Sequence, residues 1–109
     1  TASIEQKILK NYASAVNVHD DDFCKRLVDW ADIIRKTFYD GGIEEIISTR
    51  RLVHIIRAYA IFKNKAKAIQ VCINRFDDET KQSFLELYDK VDADFDFNKA
   101  EDQAYQEDA

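Results

Sequence analysis

Proline is missing from all 109 residues, and glycine occurs only as the adjacent pair Gly41-Gly42. A β-sandwich or barrel needs many tight turns, and those turns draw heavily on both residue types. A chain with a single glycine-bearing turn is left with helices joined by short polar links, so an all-α fold is predicted. The length suits one domain, and an apolar share of 46% supplies side chains for one closed core. No apolar run approaches the roughly 18 residues of a membrane span, and no signal-peptide pattern opens the sequence. These features predict a cytoplasmic protein without membrane contact.

Hydrophobic periodicity divides the chain into a bundle of about five helices. The first spans about Ser3 to Ala15, with Ile4, Ile8, Leu9 and Tyr12 at helical spacing. The turn "VHDDD" follows, and its aspartates can cap the next helix and complement its positive end. That second helix, about Asp21 to Tyr39, places Phe23, Leu27, Trp30, Ile34 and Phe38 along one stripe. It stops before Asp40-Gly41-Gly42, where glycine permits a left-handed residue. "IEEIIS" reads as a short extended connector with room for a minimal strand. A third helix, about Thr49 to Phe62, is expected to bury Leu52, Ile55, Ile56, Tyr59 and Phe62. Asn64 begins a fourth, with Ile69, Cys72, Ile73 and Phe76 at its apolar positions. "DDET" is a second acidic start, opening a fifth helix from about Asp78 to Val91 with Phe84, Leu85, Tyr88 and Val91 inward. Residues 1–91 thus form the expected domain, and 92–109 a C-terminal extension partly docked on it.

Charge is concentrated in that extension. Seven carboxylates there face Lys99 alone, a net of −6, so the remaining residues total +1 of the chain's −5. An acidic tail on a nearly neutral body argues against nucleic-acid binding, because the tail repels phosphate backbones. "DADFDFNKAED" imitates a calcium loop through Asp92, Asp94 and Asp96, but Phe97 stands where a sharp turn needs glycine and Gln103 where a bidentate glutamate belongs. The better reading is a solvated acidic segment with Phe95 and Phe97 docking on the bundle. Cys24 and Cys72 lack metal-type spacing and read as reduced, packed thiols. No metal site is expected.

The stretch "IISTRRLVHII", residues 46–56, holds an apparent contradiction. Ser48 is a good N-cap, yet Arg50 and Arg51 follow in the first turn, where the helix dipole disfavours cations by roughly 0.3–1 kcal/mol each. Arg50, His54 and Arg57 fall at i, i+4 and i+7 on the face opposite the apolar stripe, with Arg51 at its margin. Ser48, the free N–H groups of the first turn and a guanidinium beside them form a convergent set of anion donors. The competing reading is that Glu44 and Glu45 neutralise the arginines, or that the side chains extend into water. His54 is in the first instance a surface histidine, His19 a loop residue and Trp30 a core residue. There is no Gly-rich phosphate loop, no nucleophile–base pair and no isolated carboxylate pair, so this chain alone is not expected to be an enzyme.

The order of features resembles a known domain. A helix pair, then "GG", then "IISTRRLVHIIRAYAIF", then "NRFDDETKQSFLELYDKVD" is similar to the C-terminal helical lid of AAA+ ATPases, within the branch of MoxR-type ATPases and cobaltochelatase CobS, some of them phage-encoded. In that family a Ser-Pro-Arg motif opens a lid helix, and its arginine is the sensor-2 residue that reaches the ATP phosphates. The resemblance implies that role for Arg50, in a nucleotide-binding pair with Ser48, with Arg51, His54 and Arg57 as an accessory basic face. Thr49 stands where the family usually has proline. The resemblance further implies ATP and Mg²⁺ in a full-length parent and none for this fragment alone. Implied partners are an upstream AAA+ core in the same parent chain, neighbouring subunits of a hexameric ring, and client or chelatase proteins. The alternative is a free-standing helical protein–protein interaction module with no nucleotide role.

Overall fold

The computed structural model describes residues 2–95. Five helices follow one another: α1 Ala2–Ala15, α2 Asp21–Tyr39, α3 Thr49–Phe62, α4 Lys65–Ile73 and α5 Asp78–Val91. Among the described residues there is no strand; "IEEIIS" is irregular backbone, and only Ile47 of it is fully buried. The expected minimal strand does not form because nothing lies beside it to complete a ladder. None of the described helices is long and apolar enough to cross a membrane.

Local chemistry sets the helix ends. Asp20 Oδ1 accepts from Phe23 N at 3.0 Å, Asn64 Oδ1 from Lys67 N at 3.0 Å and Asp77 Oδ1 from Thr80 N at 2.7 Å. Each cap satisfies an N–H that the helix itself leaves without a partner. The glycine pair ends α2 in a Schellman motif: Gly41 N donates to Phe38 O at 3.0 Å and Gly42 N to Thr37 O at 2.9 Å. Gly41 takes φ +82°, and a Cβ on Gly42 would stand 2.9 Å from Thr37 Cγ2. Each glycine is therefore needed for its own reason. The α1 terminus repeats the motif with Asn17 at φ 62°.

At the end of α3, Lys63 occupies the left-handed region at φ 55°, where a Cβ is unfavourable. Lys63→Gly is expected to stabilise the domain by about 0.5 kcal/mol, the relief of that conformation being partly offset by a freer unfolded chain. A higher urea midpoint at unchanged slope checks it.

α2 is the central helix, packing on α1, α3 and α5, while α1 also lies on α3 and α3 on α4. Phe23, Leu27, Trp30 and Ile34 are buried as the stripe predicts, with Leu52, Ile55 and Ile56 from α3, Ile69 and Ile73 from α4, and Phe84 and Tyr88 from α5. Four of the expected core residues, Ile4, Ile8, Phe38 and Phe62, are exposed instead. In α1 the buried face runs through Glu5, Leu9 and Ala13, whereas Ile4 and Ile8 are 59% and 44% exposed. Phe38 and Phe62 sit at the ends of their helices and are 37% and 41% exposed. Phe62 lies instead under Lys67, whose Nζ is 4.6 Å from the ring centroid. Tyr59 is half-buried, edge-on to Phe23 at 5.1 Å.

Polar contacts tie the periphery. Lys65 pairs with Asp20 at 3.0 Å, linking the start of α4 to the cap of α2. Arg26 donates to the last carbonyl of α5, Val91 O, at 2.7 Å, and pairs with Asp92 at 3.4 Å. Phe95 packs edge-on against Tyr88 at 5.6 Å. Phe97 and the rest of the acidic extension from residue 96 lie outside the described residues. Cys24 on α2 and Cys72 on α4 are free and buried. Burial pushes the Cys24 thiol up to about 11 and raises that of Cys72.

Candidate functional site at the start of α3

Ser48 caps α3 in extended backbone, φ −85° and ψ 160°, and its Oγ accepts from Arg51 N at 3.1 Å. The N–H groups of Thr49 and Arg50, the first two of the helix, have no acceptor among the described residues. Ser48 retains its O–H proton as a further donor. Arg50 is exposed beside these groups, Arg51 is half-buried, and His54 and Arg57 are exposed farther along the helix. Among the described residues no ion pair joins Glu44 or Glu45 to either arginine; both glutamates point into solvent. The start of α3 is thus a cluster of donors, two of them backbone N–H groups, with a cation alongside.

Beneath this surface lies a polar arrangement that periodicity does not reveal. Glu5 of α1 is 5% exposed. Its Oε1 accepts from Arg35 Nη1 at 2.9 Å and its Oε2 from Arg35 Nη2 at 2.7 Å, a bidentate pair. Thr49 donates its hydroxyl to the same Oε2, and Arg35 Nη2 also reaches Ile47 O at 3.4 Å. Burial alone would raise the Glu5 carboxyl, but hydrogen bonds from Arg35 and Thr49 outweigh it and hold the group below its ordinary 4.5. The signal for Glu5 was its place four residues before Leu9, on the stripe that continues to Ala13. An acid on an apolar stripe demands a partner.

Thr49 thus sits at the first helical position without being proline. The extended backbone of Ser48 is the conformation that precedes proline readily, so the site keeps that geometry and uses the side chain for a hydrogen bond.

Surface depressions lie elsewhere. One of about 210 Å³ between Gly41-Gly42 and the start of α5 is lined by Glu44, Asp77 and Glu79 among others, and that acidity opposes an anion. Another, of about 470 Å³, holds His19 beside Asp20, Tyr59 and Lys63, at the far end of α3 from Arg50. Among the described residues no three His, Cys, Asp or Glu side chains converge as a metal site would require.

The family model for the CbbQ/NirQ/NorQ C-terminal domain matches residues 5–91. No curated protein and no solved structure matches the chain. The matched span reaches from the first turn of α1 to the last residue of α5 and contains Ser48, Arg50 and the Glu5–Arg35–Thr49 cluster beneath them. The chain therefore belongs to the CbbQ/NirQ/NorQ C-terminal family, the C-terminal domain of MoxR-like AAA+ ATPases.

Proposed function

We propose that Arg50 is the sensor-2 residue of the full-length ATPase, meeting the terminal phosphate of an ATP held by a separate core domain. One observation carries this reading. An exposed guanidinium without an ion-pair partner among the described residues stands beside two unsatisfied N–H groups at a capped helix start. That position is costly for a cation alone and favourable once an anion bridges the cation and the helix dipole. Ser48 contributes its hydroxyl to the same oxygens. Arg51, His54 and Arg57 extend the positive face, with Arg51 held back by its partial burial.

ATP and Mg²⁺ belong to the parent. The described residues offer phosphate donors but no converging carboxylates for the metal. ATP brings the phosphoryl group to be transferred, and this chain's residues orient and neutralise it. Because Arg50 rides on a rigid bundle, its engagement with nucleotide ties the angle between lid and core to the nucleotide state. In a ring, Arg50 serves its own subunit's nucleotide or a neighbour's. The motion is passed to a partner protein, which the ring remodels, or to metal insertion where that partner is a chelatase of the CobS kind.

The test is Arg50→Ala in the full-length protein. ATP turnover is expected to fall at least about tenfold, a loss of transition-state charge stabilisation. Far-UV circular dichroism is expected to stay unchanged, because the side chain is exposed. Arg51→Ala should have a smaller effect. Turnover at the wild-type rate in Arg50→Ala would count decisively against the role.

A further inference from the structure

The start of α3 is anchored by polar groups, although apolar packing holds most of the helix. We infer that Glu5, Arg35 and Thr49 form a positioning hub that fixes the direction in which Arg50 leaves the bundle. This rests on the sensor-2 reading of Arg50.

Two contacts of the hub fall on the residues that introduce Arg50, and the Arg35–Glu5 pair ties both to α1 and α2. Thr49 immediately precedes it and hydrogen-bonds Glu5. Ile47 O accepts from Arg35 at 3.4 Å. Ser48 lies between them and sets the helix start through its extended backbone. One carboxylate thereby receives donors from α2 and α3 while standing on α1, so three helices meet at a single side chain. Segment 43–48 upstream has no regular secondary structure to hold it in register.

Direction matters here. Apolar contacts such as those of Leu52 and Ile55 resist separation but tolerate rotation of a helix about its axis. A bidentate guanidinium–carboxylate pair has a preferred plane, and a hydroxyl donor one turn away from the core contacts fixes the remaining rotation. An exposed arginine on a long flexible stem benefits from a fixed Cα, because a displacement of about 1 Å at a catalytic group lowers rates by up to about a hundredfold. The buried acid of α1 then has a purpose beyond joining two helices, which an apolar pair would do as well.

The experiment compares Thr49→Val, Thr49→Ser and Glu5→Gln with Arg50→Ala in the full-length ATPase, measuring kcat and KM for ATP with circular dichroism on each. Thr49→Val is expected to lower kcat about three- to tenfold at nearly constant KM, and Thr49→Ser to restore it. Glu5→Gln should behave like Thr49→Val. In the Arg50→Ala background, Thr49→Val should have no further effect, because the guanidinium it positions is gone. Thr49→Val is milder than Glu5→Gln and keeps the fold testable should Glu5→Gln unfold. A normal kcat in Thr49→Val, or a full additive loss in the double variant, overturns the hub while leaving the sensor reading intact. Wild-type turnover in Arg50→Ala removes the sensor reading and the hub together.

Discussion

Trp30→Ala should cost about 3–5 kcal/mol of folding stability, the largest effect expected of any single substitution in this domain. Trp30 is fully buried in the central helix α2. Its indole meets Phe84 edge-on at 6.3 Å and Tyr88 at 5.4 Å, both on α5. Its Nε1 also donates to Phe84 O at 2.8 Å. Truncation removes the ring that attaches α5 to the bundle, opens a cavity that rigid neighbours cannot fill, and deletes a buried hydrogen bond. Against a typical total of about 5–15 kcal/mol, such a loss leaves much of the population unfolded near physiological temperature. Urea denaturation followed by circular dichroism measures it directly. Trp30→Phe separates the contributions: it keeps most of the ring area and loses the N–H bond, so a cost of about 1–2 kcal/mol is expected. A midpoint unchanged in Trp30→Ala would mean that α5 is held by other contacts.

Glu5→Ala is expected to rank second, at about 2–4 kcal/mol, because it strands Arg35 and Thr49 without their acceptor. The figure sits below the upper range for buried pairs since the Arg35 side chain keeps 29% of its exposure and can recover some hydration. The same carboxylate makes an acid-side prediction. Its folded pKa lies below the ordinary 4.5, so between the two values the unfolded chain binds more protons than the folded one. Stability from Glu5 is therefore complete above 4.5 and is lost as pH falls through the lowered folded value. Glu5→Gln carries no such charge. The stability gap between wild type and Glu5→Gln should narrow steadily as pH drops below 4.5. Urea midpoints across that range check it, and a gap independent of pH would show that the charge contributes nothing.

Those two residues also mark how far the sequence is readable. Trp30 was legible because its neighbours in the stripe, Phe23, Leu27 and Ile34, repeat at helical spacing and all are buried. Ser48, Asn64 and Asp77 were legible as helix starts because capping is decided within three residues of the cap. The α1 face was not. Ile4 and Ile8 compete with Leu9 and Tyr12 for the same periodic signal, and local spacing does not choose between two overlapping stripes. The buried face carries Leu9 and Ala13 into the core together with Glu5, whose partner Arg35 lies thirty positions away. An acid on the apolar stripe signals that a partner is needed, but spacing within α1 does not say which residue of α2 supplies it. The candidate site divides in the same way: the Ser48–Arg50 surface follows from a cap and a charge in the wrong place, whereas its support is visible only after folding.

The two sulfurs offer a consequence of a different sort. A thiol raised as far as that of Cys24 holds almost no thiolate at neutral pH, and thiolate is what alkylating and disulfide reagents attack. Cys24 and Cys72 are shielded besides, one in the central helix and the other in the helix that leans on α3. Covalent tagging is therefore expected to be slow in the folded domain, most of all at the fully buried Cys24. Alkylation at Cys24 should then follow the opening of α2, and at Cys72 that of α4.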